Sequence, residues 1–141
     1  MRPLKQSLPL KLLMAREAVM ERFRPHLNKA GVTEQQWRVL RALNEVEDMD
    51  AGALAAAICL HMPSMSRILV DLVERKLIKK QDGVDRRLRT VRITPQGRAL
   101  VERLAPLSES EYHKIQASIG ADHYQNLMRS LDDLISKLER D

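Results

Sequence analysis

Pro63, Ser64, Ser66 and Arg67 open a run in which Met65, Ile68, Leu69, Leu72 and Val73 repeat at helical spacing. The pattern predicts a helix over 63–76 with proline at its first position, where a missing N–H costs nothing. Small hydroxyl side chains and a guanidinium then occupy the outward side of its first turn and a half. Such a turn can lie in the major groove of duplex DNA, because a helix fits the groove and small residues allow close approach. Arginine there can donate two hydrogen bonds to guanine O6 and N7, and Arg67 is the candidate for that contact. A surface helix with ordinary polar residues has the same look, so this run alone divides evenly between the two readings.

A second basic group shifts the balance. Arg86, Arg87 and Arg89 stand beside a turn signal, Asp82 and Gly83, between two runs of period two, Leu77 to Lys80 and Leu88 to Ile93. The alternation predicts a β-hairpin whose connection, residues 81–87, carries guanidinium groups suited to phosphates or a narrow minor groove. Asp85 is expected to accept a hydrogen bond from a neighbouring arginine and stiffen the tip, while Lys79 and Lys80 offer general phosphate contacts at most. From Arg75 to Arg98 there are nine basic and two acidic residues, a balance of +7 in a chain of net charge +5, which leaves −2 for the rest. A positive segment beside a slightly negative remainder is the footprint of a polyanion-binding element.

The remaining pattern supplies the elements that hold these two groups. Leu8 to Ala30 reads as one helix with a stop at Gly31 and a kink or break expected near residues 21–24, ahead of Pro25. Thr33 and Gln36 form a capping box for a helix to about Glu45, with Trp37, Leu40 and Leu43 inward. Asp50 caps a short alanine-rich helix running to about Cys59. Asp71 and Arg75 fall on the solvent side of the 63–76 helix. Thr94 and Pro95 start a long helix, bent at Pro106 and ended by Gly120, and Asp122 caps a last helix. Its residues Tyr124, Leu127, Met128, Leu131, Leu134, Ile135 and Leu138 make a near-heptad seam. The fold class is therefore mainly α with a small β wing: a winged helix-turn-helix lobe over 31–98 and a helical dimerisation region from 1–30 and 99–141. Those flanking helices carry more apolar stripe than one subunit could cover.

Composition narrows the function. The 141 residues are 44% hydrophobic and 30% charged, the balance of a folded chain, with four aromatics in all. Cys59 is the only cysteine, so no intrachain disulfide forms, and charges interrupt every apolar run, which makes a cytoplasmic protein with no membrane span the expectation. His26, His61, His113 and His123 lack ligand spacing, so no metal site is expected; nor is any cofactor. No phosphate loop or nucleophile motif points to an enzyme. For Cys59, with no cationic neighbour in sequence, a buried small hydrophobe is expected rather than a redox sensor.

The strings TEQQWRVLRAL (33–43), MPSMSRILVDLVERKLIKK (62–80), DRR (85–87) and VRITPQGRAL (91–100) resemble the MarR family of winged-helix regulators over nearly the whole chain. Ile93 stands where that family more often has leucine. The opening LLMAREAVMERFRP (12–25) is similar to members that control aromatic-acid breakdown. The resemblance implies a homodimer on a pseudo-palindromic operator in double-stranded DNA, each recognition helix in a major groove and each wing in the adjacent minor groove. It also implies a small aromatic carboxylate effector that releases the DNA. Arg16 is the candidate to hold that carboxylate, with an ion pair to a glutamate such as Glu17 as the competing reading. Trp37 could wall the pocket or pack the core, and Arg38 and Arg41 could line the crevice or support the dimer. The alternative function is a winged-helix protein-interaction module whose basic hairpin docks an acidic partner.

Overall fold

The computed structural model describes the chain except residues 83–88 and 140–141, with backbone alone at 82 and 89. Six helices and three short strands appear in the order α1 (Leu8–Lys29), α2 (Glu34–Asn44), β1 (Met49–Asp50), α3 (Ala51–Ala57), α4 (Met62–Glu74), β2 (Ile78–Asp82), β3 (Arg89–Ile93), α5 (Pro95–Ile119) and α6 (Ala121–Leu138). A 3-10 turn, Leu4–Gln6, precedes them. The chain divides into two compact units, Met1–Leu107 and Ser108–Asp141.

Helix starts follow local chemistry. Both halves of the capping box form at α2: Gln36 N–H donates to Thr33 Oγ1 and Thr33 N–H to Gln36 Oε1, each at 3.1 Å. Asp50 accepts from Ala53 N–H at 3.0 Å, and Thr94 Oγ1 from Gly97 N–H at 3.1 Å. Helix α1 runs through Pro25 without a break. Helix α6 is capped by Gly120, at φ 89°, and not by Asp122, which lies inside its first turn.

Three helices end in the same way. Gly31, Cys59 and Lys76 each take a left-handed backbone, at φ 70°, 56° and 60°. In each case the following amide reaches back five residues, Val32 to Leu27, Leu60 to Ala55 and Leu77 to Leu72, at 2.9–3.0 Å. These are Schellman turns, and their next residue folds inward: Val32 and Leu77 are buried. Cys59 is consequently exposed, not the buried hydrophobe expected, because the turn that stops α3 aims its side chain outward.

The strands form one antiparallel sheet in the order β1-β3-β2. Ile78 faces Ile93 and Asp82 faces Arg89, so the hairpin ladder extends one to two residues further along its first strand than the alternation implied. Strand β1, pairing Met49 with Val91, was not expected at all. Helices α3 and α4 meet at 111° across four residues, within the 90–120° of a helix-turn-helix. Leu40, Leu43, Leu54, Met65, Leu72, Ile78 and Val91 are fully buried between α2, α3, α4 and the sheet, so the apolar side of α4 is fixed from three directions.

Gly97 marks the closest approach of α5 to this core. A Cβ there would lie 2.1 Å from the Leu77 carbonyl oxygen, which itself accepts from Thr94 N–H at 3.1 Å. Gly97→Ala is expected to lower the urea unfolding free energy by about 1–3 kcal/mol through overpacking. Lys76→Gly, at an exposed left-handed position, is expected to raise it by about 1 kcal/mol. Equal midpoints for these variants and the parent chain would contradict both assignments.

Candidate nucleic-acid interface and effector site

Helix α4 separates its faces sharply. Met65, Leu69 and Leu72 are buried, whereas Pro63, Ser64, Ser66, Arg67 and Val70 are exposed. His61 caps α4 by backbone only, without a side-chain hydrogen bond, so the first-turn N–H groups and their partial positive charge face outward. Ser66 Oγ donates to Met62 O at 3.0 Å, which leaves its lone pairs as acceptors. The Arg67 guanidinium makes no hydrogen bond or ion pair to another described residue. An unengaged fork beside small hydroxyl side chains is what a base-reading turn requires.

The base of the hairpin adjoins this face. Met62, Ser66, Leu69 and Val70 of α4 share a groove of about 320 Å³ with Lys80 of β2 and Val91 of β3. The Ser66 hydroxyl and the Lys80 ammonium therefore border one depression. Arg86 and Arg87 lie outside the described residues, and Arg89 opens β3 opposite Asp82, its backbone alone described. Other cations of the basic segment are engaged inside the fold. Arg92 donates to Asp48 at 2.7 and 2.9 Å and to Glu47 at 3.4 Å, tying β3 to the segment before β1. The hydrogen bond from Arg92 holds the Asp48 carboxyl below its ordinary value. Arg98 donates to Asn44 Oδ1 at 3.1 Å.

The first turn of α2 is a junction that the periodicity did not reveal. Gln36 is buried; its Nε2 donates to Asp71 of α4, and its Oε1 accepts from Arg75 at 3.2 Å. Arg75 also donates to Gly31 O at 2.8 Å. Asp71 and Arg75, expected on the solvent side, thus bind α4 to α2 and to the α1–α2 turn. Two residues before Gln36, Glu34 accepts from Arg16 and, at 2.7–2.8 Å, from Arg24. Arg24 in turn grips Glu17 with two bonds of 2.9 Å. Burial raises the Glu34 carboxyl, but bonds from Arg16 and Arg24 outweigh it and leave it below the ordinary value. Glu17 is lowered by its bond from Arg24, whose own pKa is raised by Glu17 and Glu34.

The three expected effector residues make different contacts. Arg16 sits half-exposed against Glu34 at the α1–α2 junction, with Glu17 Oε1 at 3.6 Å from Nη1. Trp37, three residues after Glu34, is buried in the core beneath that junction. Arg38 turns toward α3, donating from Nη1 to Ile58 O at 2.8 Å, and its buried Nε has no partner. A crevice of about 370 Å³ opens between the first turns of α2 and α4, lined by Thr33, Gln35, Gln36, Leu60, Ser64, Arg67, Ile68 and Asp71. The contacts of Glu34, Gln36 and Asp71 were not anticipated; only the capping box hinted that this turn had a task.

A helix-turn-helix at 111°, an antiparallel wing and an unengaged Arg67 on the outer turn define a winged-helix DNA-binding regulator. The chain belongs to the MarR family, whose profile matches residues 30–88. It is 36% identical over 131 residues to the homoprotocatechuate degradative operon repressor of Escherichia coli, covering 92% of this chain and 88% of that one. Among solved structures, the transcriptional regulator PA4135 superposes with a TM-score of 0.89 at 36% identity, over 96% of this chain and 98% of that one. NadR in complex with 4-hydroxyphenylacetate superposes at 0.83 and 32% identity, over 95% and 98%. The full-length resemblance read from the sequence is thereby confirmed, as is the winged-helix fold. No single helix among the described residues is long and apolar enough to cross a membrane.

The lowered carboxyls set a direction for acid stability. A group whose folded pKa lies below its unfolded value stabilises the fold above the unfolded value and loses that contribution as pH falls through the folded one. With ordinary values of 4.5 for Glu17 and Glu34, melting temperature should hold steady above about pH 5 and drop below it. Glu34→Gln should flatten that drop. An identical acid limb in the variant would show that the network contributes nothing.

Proposed function

We propose that this chain is a ligand-responsive transcriptional repressor that holds operator DNA as a homodimer, with Ser64, Ser66 and Arg67 in the major groove and Arg86, Arg87 and Arg89 on the wing reaching the minor groove. Pro63, the second residue of α4 where the sequence placed it first, lies in the first turn of the reading helix and brings its backbone close. The lobe that reads DNA spans 31–98; segments 1–30 and 99–141 form the dimerisation region. One observation carries the reading: Arg67 stands unengaged by any described residue on the exposed turn of α4, whose neighbouring residues share a groove with the base of the hairpin. Cations elsewhere in the segment, Arg75, Arg92 and Arg98, are spent on internal partners, whereas Arg67 is left for an outside one.

Dimerisation accounts for apolar residues that a single chain leaves in water. Leu8, Leu12, Leu13 and Met14 on α1 are exposed, as are Leu127, Met128, Ile135 and Leu138 on α6, a helix with no buried residue. A helix with an apolar seam and nothing buried calls for a partner surface. The chain should sediment as a dimer, and Leu127→Glu combined with Ile135→Glu should shift it toward monomer.

The effector is a small aromatic carboxylate, the class to which the ligand of NadR belongs. Arg16 receives the carboxylate, Trp37 backs the ring from the core, and Arg38 steadies α3 beneath the site. The regulated genes are those of aromatic-acid breakdown, as the name of the Escherichia coli relative states for that protein. To release DNA the ligand must favour the released geometry over the bound one by a finite free energy.

Arg67→Ala is expected to weaken operator binding by about 1–3 kcal/mol and relax sequence preference at one base pair, while Arg87→Ala weakens specific and nonspecific binding alike. Fluorescence anisotropy on DNA selected by the protein measures both; wild-type affinity in both variants would refute the interface. For the effector, 4-hydroxyphenylacetate should raise the melting temperature, and Arg16→Ala should abolish the rise. An equal rise in the variant would remove Arg16 from the site.

A further inference from the structure

We infer that Glu34 is a specificity-determining residue that acts as a built-in competitor for Arg16, so that an effector carboxylate binds by displacing an internal one. The inference rests on the reading of Arg16 as the carboxylate receptor. An arginine grips a carboxylate in two ways, end-on through Nη1 and Nη2 or side-on through Nε and Nη2. Nη2 is common to both, and Nη2 is the atom that Arg16 gives to Glu34. Glu34 therefore occupies one N–H of the nitrogen that both forks share, and an incoming carboxylate meets its like charge there at either fork.

Glu34 can be displaced because it has a second holder. Arg24 reaches it through both Nε and Nη2, at 2.8 and 2.7 Å, so a Glu34 that lets go of Arg16 remains paired. Arg16 by contrast has, among the described residues, only the long 3.6 Å approach to Glu17 besides Glu34, and its side chain is 44% exposed. Two glutamates and two arginines share the cluster, which is neutral as it stands. An extra anion is admitted there only against the repulsion of Glu17 and Glu34, and a neutral ligand feels neither.

The same turn of α2 gives the exchange a route to the reading helix. Glu34 belongs to the helical turn whose Gln36 donates to Asp71 of α4 and accepts from Arg75. Release of Glu34 from Arg16 leaves Arg24 as its remaining hold on α1 among the described residues, and so alters the tether of the turn that positions α4.

Isothermal titration of the full-length protein with 4-hydroxyphenylacetate and with its uncharged amide, 4-hydroxyphenylacetamide, tests the inference. Glu34→Gln keeps the shape and removes the charge; it should bind the acid about 3- to 10-fold more tightly than the parent and the amide no differently. Glu34→Asp, which keeps the charge but draws it back, should fall between the two and guards against a folding defect in the first variant. Unchanged or weaker acid binding in Glu34→Gln, or an equal gain for acid and amide, overturns the competitor role while leaving Arg16 as receptor. If neither parent nor variant binds the acid, the effector reading itself falls, and the competitor role falls with it.

Discussion

Everything that α4 can do depends on one buried amide. Gln36 caps its own helix through Oε1 and Thr33, accepts from Arg75 at the C-terminal end of α4 and donates to Asp71 one turn before it. A primary amide that is buried without partners costs about 1–3 kcal/mol, so these bonds select a single register of α4 along α2. A reading helix needs that selection more than it needs affinity. A slip of one residue would rotate Arg67 about 100° away from the groove and bring Met65 to the surface.

Around that amide the chain spends backbone strain to turn corners. Cys59 and Lys76, neither of them glycine, adopt left-handed conformations on either side of α4, at the cost of about 1–2 kcal/mol each. The return is geometric. The turn at Cys59 permits the 111° angle between α3 and α4, and the turn at Lys76 delivers Leu77 into the core and starts β2 on the opposite face of the same packing. Thr94 closes the circuit by donating to Lys76 O at 2.7 Å, so the strained turn is held by the cap of α5. Gly97 then lets α5 approach closely enough to make that closure.

How much of this was legible from residues alone divides by range. Caps are local, and Thr33 with Gln36, Asp50 and Thr94 all stood where their sequence neighbours required. Strand β1 was invisible because a two-residue strand has no periodicity; it exists only because β3 offers Val91 and Thr90 as partners. Asp71 and Arg75 do stand toward solvent, Arg75 exposed and Asp71 partly so, but a helical wheel reports an angle and says nothing of what binds at that angle. The same blindness hid Glu34, which lies 18 residues from Arg16 and 10 from Arg24. Cys59 went wrong for another reason: a cysteine after an alanine-rich run reads as core until one knows that it is the residue that stops the helix. The exposure of Pro63, Ser64, Ser66 and Arg67 was legible because it follows directly from the apolar stripe behind them.

The charge distribution also acquires a different meaning. Nine cations between Arg75 and Arg98 look like one polyanion-binding patch, yet Arg75, Arg92 and Arg98 hold the lobe together through Gly31, Asp48 and Asn44. What remains for DNA is smaller than the count implies. Salt-dependent affinity scales with phosphates neutralised, so a lobe that spends three of nine cations internally gives up part of its nonspecific grip. Sequence discrimination gains by the same choice, because it is the ratio of specific to nonspecific binding that locates an operator among competing sites. A regulator that must be released by a small ligand benefits again. A ligand's differential affinity is worth only a few kcal/mol, and a moderate electrostatic hold on DNA can be overcome by a shift of that size.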